Sequence, residues 1–508
     1  MPELHADTVI VGAGAAGAVV AARLTERADR DVILLEAGVD HPDPSRLPAD
    51  LRDGTRNSMR SHDWGYTHRV NARQPLRFPF PRGRVVGGSS AVNTCIALRG
   101  VPEDYDEWAA RGLPEWSWAR CLPAFKRLER DLDFADEWHG ADGPIPIRRH
   151  APDELVPWQS AFLEACTTLG LPRADDANRP GAEGAAPHPM NKIGGERMGA
   201  ARCYLTPAVR ARPNLRVLAS TLARRVLFEG RRAVGVEVES AGAVFVVRAR
   251  RVVLCAGAIA TPGVLLRSGV GPRAKVEALG VSPVADVPAV ARRLLDHPGA
   301  AFFLWPRRGL CDTAHPLIQT GVRFRSRDGS CPNDLQVQPG SAAIFPRFSL
   351  PLVSMMCHVG KPRGHGSLTF ASADPRAAPD IRSALLDDPH DRALAVEALS
   401  LAYAITQQAP MRGLARVVWP PESAVSRPAA LDGWVRGVCD SGYHPCGTAP
   451  MGADNDPDAA ADGRGRVRGT DGLYVADASL MPTVPTSNIH LPTLMIGERF
   501  GEWLREGD

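Results

Sequence analysis

The sequence predicts a chain in two parts. An α/β, Rossmann-like domain is assembled discontinuously from both chain ends, and a sheet-based α+β domain is inserted between them. Three observations predict this. Near the N-terminus, strand, glycine-rich turn, helix and second strand follow one another within thirty-odd residues. Further strand-then-helix pieces of the same kind stand at 251–266 and 472–504. Between them, about 300 to 440, alternating patches such as Gly366-Ser-Leu-Thr-Phe370 mix with helical stretches such as 391–409, the mixture expected of an α+β unit. The expected organisation is therefore a dinucleotide domain over 1–300, with loop or cap insertions around 60–190. A substrate-binding domain follows over 301–440, and 441–508 returns to the first domain. A length of 508 residues suits two or three domains.

Each early element has a local reason. Asp7-Thr-Val-Ile-Val-Gly12 is a short apolar run, as in a buried parallel strand. Gly12, Gly14 and Gly17 form GxGxxG immediately after it. The first permits the tight turn, the second admits a pyrophosphate against the backbone, and the third lets helix and strand pack closely. Ala15 and Ala16 lie within this turn and are candidate cofactor contacts with it, and a helix is expected over 18–27. The strand Asp31-Val-Ile-Leu-Leu-Glu36 ends in an acid about 20 residues on, placed to accept hydrogen bonds from a ribose diol. The turn leaves FAD and NAD both open, while Glu36, followed by Ala37, disfavours a 2′-phosphate and hence NADP.

Composition excludes several classes. The 60 basic and 57 acidic residues leave a net charge of +3, with no recurring basic stripe, so no nucleic-acid partner is expected. The ten cysteines are scattered without a C-x-x-C, which leaves no zinc or thioredoxin-type signature and no metal site expected. Such scatter is that of reduced, buried thiols and suggests a cytoplasmic setting. No targeting segment is expected in Met1 to Asp7. The uncharged stretch 478–497 carries Pro482, Pro485, Asn488, His490 and Pro492, so no integral membrane segment is expected either.

Three more segments carry a resemblance. Gly83-Arg-Val-Val-Gly-Gly-Ser-Ser-Ala-Val-Asn93 resembles the first signature of the glucose–methanol–choline (GMC) flavin oxidoreductases. The segment Gly257 to Gly271 resembles the second. Tyr443-His-Pro-Cys-Gly-Thr448, Asp477-Ala-Ser-Leu-Met-Pro-Thr483 and His490-Leu-Pro-Thr493 resemble the C-terminal active-site region. Asp104-Tyr-Asp-Glu-Trp108 and Gly143-Pro-Ile-Pro-Ile147 look most like the bacterial hydroxymethylfurfural and aryl-alcohol oxidase branch. The resemblance implies the GMC fold and FAD, with its ADP half on Gly12 to Gly17 and Glu36. It also implies that the loop of Val86, Gly88, Ser89 and Asn93 runs along the pyrophosphate and flavin, with Ala223 against adenine. Asp477 and Ala478 are implied near the pyrophosphate and ribityl chain. Some choline-oxidising relatives have a flavin-linking His where this chain has Val92, so non-covalent FAD is expected.

The implied chemistry is oxidation of a primary alcohol, aryl or furanic favoured, to the aldehyde. It needs a base or hydrogen-bonding group beside the hydroxyl, and an imidazole suits neutral pH. Of 14 histidines, His444 and His490 stand out. His444 lies in a loop stiffened by Pro445, and His490 stands just before Pro492, which suits the first turn of a last helix facing the flavin pyrimidine. His444 is read as the base and His490 as the hydroxyl anchor. Tyr443 and Val359, with His358, are candidate substrate contacts, and Trp64 and Tyr66 are candidate flavin neighbours. The cluster Trp108, Trp116 and Trp118 is read as core. Oxygen and another acceptor such as a quinone are both admissible. A GMC-fold hydroxynitrile lyase is the alternative of another reaction class, and a flavin-binding electron relay is a third.

Overall fold

A computed structural model describes residues 3–329, 331–344 and 349–506. Its first sheet has seven strands. In spatial order they are Leu215–Leu218, Val32–Leu35, Leu4–Val11, Ala243–Leu254, Arg232–Ser240 and Thr221–Glu229, and Leu473–Val475 joins beside Val252 to Leu254. The strands from Leu215 to Leu254 and the C-terminal one run parallel, and the last two are an antiparallel extension. Strand Val32–Leu35 and residues 8–11 of the first strand are buried on both faces, in keeping with their apolar character. Residues far apart in sequence therefore build one sheet, as expected for a discontinuous Rossmann-like unit.

The first helix, Ala15–Leu24, starts three residues before the expected position, so Gly17 lies inside its first turn. The last helix, His490–Glu506, packs on it. One buried carboxylate ties this closure. Glu498 accepts from Arg23 at 2.8 and 2.9 Å, from Arg127 at 2.8 Å and from the Tyr204 hydroxyl at 2.5 Å. Charge-assisted bonds of this kind keep a fully buried carboxylate from being a net liability.

The second sheet is antiparallel, in the order Ala415–Trp419, Pro298–Pro306, Val353–Val359, Leu335–Gly340, Thr320–Phe324 and Gly184–Pro187, with Asp440–Ser441 added beside Pro298. Helix Pro389–Thr406 covers its apolar face. The other face fronts the first domain. Trp108 and Trp116 are fully buried, edge-on to one another, and their indole N–H groups donate to Thr483 Oγ1 and to the Gly463 carbonyl. All ten cysteines are unpaired. Among the described residues no helix is long and apolar enough to cross a membrane. Glu129, Asp131 and His139 bring ligand atoms together, but Arg99 and Arg149 already pair with those carboxylates, so the cluster is a buried salt knot.

Candidate active site

A cavity of about 810 Å³ runs from the glycine-rich turn to the second sheet. At its inner end the Gly12 N–H donates to the Leu35 carbonyl at 2.8 Å and Gly12 turns at φ +102°. Helix Ala15–Leu24 begins at Gly14 with no side-chain cap, so its N–H groups and positive end remain for an anion. A Cβ on Gly14 would meet nothing nearer than 3.9 Å, which leaves open space on the cavity side. The glycine loop of the second segment comes close by: a Cβ on Gly88, at φ +52°, would stand 2.8 Å from Gly14 Cα.

Glu36 is buried, and its carboxylate accepts from the N–H of Ala13 at 3.0 Å and of Gly38 at 2.8 Å. Burial pushes its pKa up to about 7 despite these donors. Further along, Asp477 accepts from the Gly257 N–H at 2.8 Å, the Thr261 hydroxyl at 2.7 Å and the Ser479 N–H at 2.8 Å, and burial raises its pKa. An uncapped helix end, bare glycine faces and a carboxylate placed for a diol together fit a dinucleotide.

The outer half holds the histidines. Tyr443 adopts φ +63°, a conformation costly for a non-glycine residue, and three contacts hold it there. Its N–H donates to Ser441 Oγ at 2.7 Å, its carbonyl accepts from Arg82 at 2.9 Å, and the next N–H, of His444, donates to Asp296 at 2.8 Å. Ser441 donates its hydroxyl to the same Asp296 carboxylate, whose pKa burial raises to about 6. The loop thereby aims the His444 ring between two partners, His297 Nδ1 at 2.9 Å from its Nδ1 and Asn488 Nδ2 at 2.9 Å from its Nε2. Burial first, then the neighbouring His297 and His358 rings, push the His444 pKa well below the usual imidazole value. His490 is the first residue of the last helix, and its buried Nε2 has no partner within the protein. Burial lowers its pKa to about 4. Both imidazoles are therefore neutral near pH 7, the form that accepts a proton.

Gly12, Gly14, Ala15, Ala16, Glu36, Ala37, Gly88, Ser89, Asn93, Ala223, Asp477, Ala478, Tyr443, His444 and His490 all line this one cavity. So do Val92 and the parallel rings of Trp64 and Tyr66, 5.8 Å apart. Four expected contacts lie elsewhere. Gly17 faces the Gly12 carbonyl and serves packing. Val86 points into the first core and lines a smaller neighbouring cavity. Pro492 is buried in the first turn of the last helix, where its missing N–H forfeits no bond, and Thr493 takes the cavity side. Val359 is buried in the core of the second sheet at 1% exposure. Strand alternation sends His358, its neighbour, to the cavity instead.

Sequence reasoning missed Asp296, His297, Asn488 and Asp440. Asp440 lines the cavity near Tyr443 and places a carboxylate on the same wall. Its Oδ1 is engaged by His68 Nε2 at 3.0 Å and by the Ser441 N–H at 2.7 Å, and its Oδ2 lies 3.5 Å from the Tyr443 hydroxyl. The available signal was Asp296-His297, a polar pair just before the apolar run Pro298–Pro306.

Residues 6–299 and 362–497 match the two parts of the GMC oxidoreductase family profile. The chain is 36% identical to a 5-(hydroxymethyl)furfural oxidase of Methylovorus sp. (strain MP688), with 98% of each chain covered. It is 33% identical to an oxygen-dependent choline dehydrogenase of Brucella anthropi, over 98% of this chain and 95% of that one. Among solved structures it superposes on pyridoxine 4-oxidase from Mesorbium loti with a TM-score of 0.91 and 32% identity, covering 99% of this chain and 100% of that one. Formate oxidase from Aspergillus oryzae, 23% identical, shares the fold with a TM-score of 0.90, over 100% of this chain and 99% of that one.

Proposed function

This chain belongs to the GMC oxidoreductase family, and from that premise we propose that it is an FAD-dependent enzyme oxidising a primary alcohol on an aromatic or furanic ring to the aldehyde. One observation carries the reading: two neutral imidazoles, the half-buried His444 and the buried His490, line the cavity whose inner end is the dinucleotide cradle. FAD, when bound, supplies the hydride acceptor. The cradle of Gly12, Gly14, Glu36, Gly88, Asn93, Ala223, Asp477 and Ala478 would hold it. His444 takes the hydroxyl proton at Nε2, and His490 offers its unpartnered Nε2 to orient the hydroxyl. Trp64, Tyr66, Phe303 and Tyr443 line the cavity with apolar rings suited to a planar substrate. Similarity to enzymes named for hydroxymethylfurfural and pyridoxine supports a hydroxymethyl group on a flat ring.

Val92 lines the cavity and has no atom able to form a link to flavin. Acid precipitation is therefore expected to release the yellow chromophore into the supernatant; colour held in the pellet would refute non-covalent binding.

Asp440 favours a second reading, a cationic alcohol such as choline held by that carboxylate and the nearby rings. Its prior engagement by His68 and Ser441 argues for the neutral substrate. Anaerobic bleaching of the flavin by benzyl alcohol, furfuryl alcohol, choline and glucose separates them. The ring alcohols are expected to give the highest kcat/KM, and choline at the top of the panel would transfer the assignment to the second reading. No bleaching by any alcohol would favour a lyase. Timed admission of air then tells oxygen from another acceptor.

A further inference from the structure

We infer that His297 is a positioning residue that fixes the tautomer of the base, holding the proton of neutral His444 on Nδ1 so that Nε2 carries no hydrogen and is an acceptor on the cavity side. The inference deepens the alcohol-oxidation reading above and rests on it for the role of His444.

The argument starts from two carbonyl oxygens. His297 is 3% exposed, and its Nε2 lies 3.0 Å from the Gly360 carbonyl oxygen and 2.9 Å from that of Pro485. Carbonyl oxygens only accept, so this nitrogen carries a hydrogen. Burial lowers the His297 pKa to about 4, so the ring is neutral and has a single N–H. Its Nδ1 is then a bare lone pair. That lone pair faces His444 Nδ1 at 2.9 Å, a distance at which one of the two must donate. His444 donates, and being neutral it has no second hydrogen for Nε2. The far side agrees, because Nε2 faces the Asn488 amide nitrogen, a donor, at 2.9 Å. The hydrogen bonds thus run in one direction, from Asn488 through His444 and His297 to two backbone carbonyls.

Two consequences follow for the reaction. Without His297 the neutral His444 ring is free to carry its proton on Nε2, where it cannot accept the hydroxyl proton. The chain also ends at carbonyl oxygens that take no proton. The proton removed from the alcohol therefore stays on His444 Nε2 and leaves by the cavity, so His297 orients the base and does not relay its proton. An aspartate in the orienting position would bring a buried charge. A neutral imidazole fixes the same ring without one.

The test uses the full-length holoenzyme labelled with ¹⁵N-histidine. Two-bond ¹⁵N–¹H spectra report the tautomer, and His444→Gln identifies the signals. Wild type is expected to show His444 protonated on Nδ1. In His297→Leu the Nε2–H form should appear, and kcat for the best alcohol of the panel should fall about 10²-fold, the scale of a misplaced catalytic group, with KM changed less than about twofold. His297→Asn, whose Oδ1 can accept where Nδ1 did, should recover most of the rate and the wild-type tautomer. Wild-type His444 protonated on Nε2, or a His297→Leu protein with unchanged spectrum and kcat, would overturn the inference. The wild-type spectrum decides even if the leucine variant does not fold. It also separates this inference from the functional reading, because the tautomer is read without turnover.

Discussion

Replacing His444 by alanine is expected to slow anaerobic reduction of the bound flavin by alcohol about 10²–10⁴-fold, the usual worth of a positioned general base. The residue is suited to that loss. Its ring is aimed by a strained, triply held loop, and burial keeps it neutral at working pH. FAD content should stay at the wild-type level, because the bonds that hold Gly12, Glu36 and Asp477 share no partner with those of His444. His490 is expected to behave differently. Its Nε2 has no protein partner, so its task is a polar contact to the hydroxyl. Asparagine supplies such a contact and alanine does not, so His490→Asn should lose less rate than His490→Ala. The measurement is the reduction rate in each variant against one alcohol. A His444→Ala enzyme reduced at near wild-type rate, with His490→Asn inactive, would reverse the two roles.

The parts of this site that were legible in the sequence are those whose physics is local. Strand, glycine turn, helix and acid lie within residues 7–36, so the cradle could be read before any tertiary contact was known. The loop at Tyr443 and His444 and the segment at His490 were legible as motifs. The partner of the base was not. His297 and His444 are 147 residues apart, and nothing in either neighbourhood announces the other. They meet because Gly442 donates its N–H to the His297 carbonyl while Cys446 and Leu295 exchange backbone bonds, a pairing set by the assembled sheet. Which of the two candidates His358 and Val359 faces the cavity was not legible for a related reason. Both lie on one strand, and the side facing the cavity depends on pairing of His358 with Gly299 and Gln336. A one-residue shift exchanges the faces, and apolar character at both ends of the strand gave no parity signal. Asp440 was hidden because its neighbour His68 reaches it across 372 residues.

Gly17→Ala is expected to be among the costliest single methyls in the first domain, and to be read as lost flavin as well as lost stability. The added Cβ would lie 1.9 Å from the Gly12 carbonyl oxygen and 3.1 Å from the Cys255 Cβ. No flexible side chain end is available to yield. The Gly12 backbone is pinned by its bond to Leu35, and its own space is closed by the Cys255 carbonyl, 2.5 Å from where a Gly12 Cβ would stand. The helix must therefore move away from the turn, which pulls the uncapped N–H groups off the phosphate position. Overpacking ordinarily costs about 1–3 kcal/mol, and a backbone obstacle puts this site at or beyond the upper figure. Purified Gly17→Ala should carry well under the wild-type ratio of flavin to protein and melt several degrees lower. Gly433→Ala is the control. It lies in helix Pro428–Val435 with nothing within 4 Å of its added Cβ, so it should be neutral or gain about 0.4–1 kcal/mol through the unfolded chain. If Gly17→Ala matched wild type in both flavin ratio and Tm, close packing at that turn would not be what binds the helix end to the cofactor.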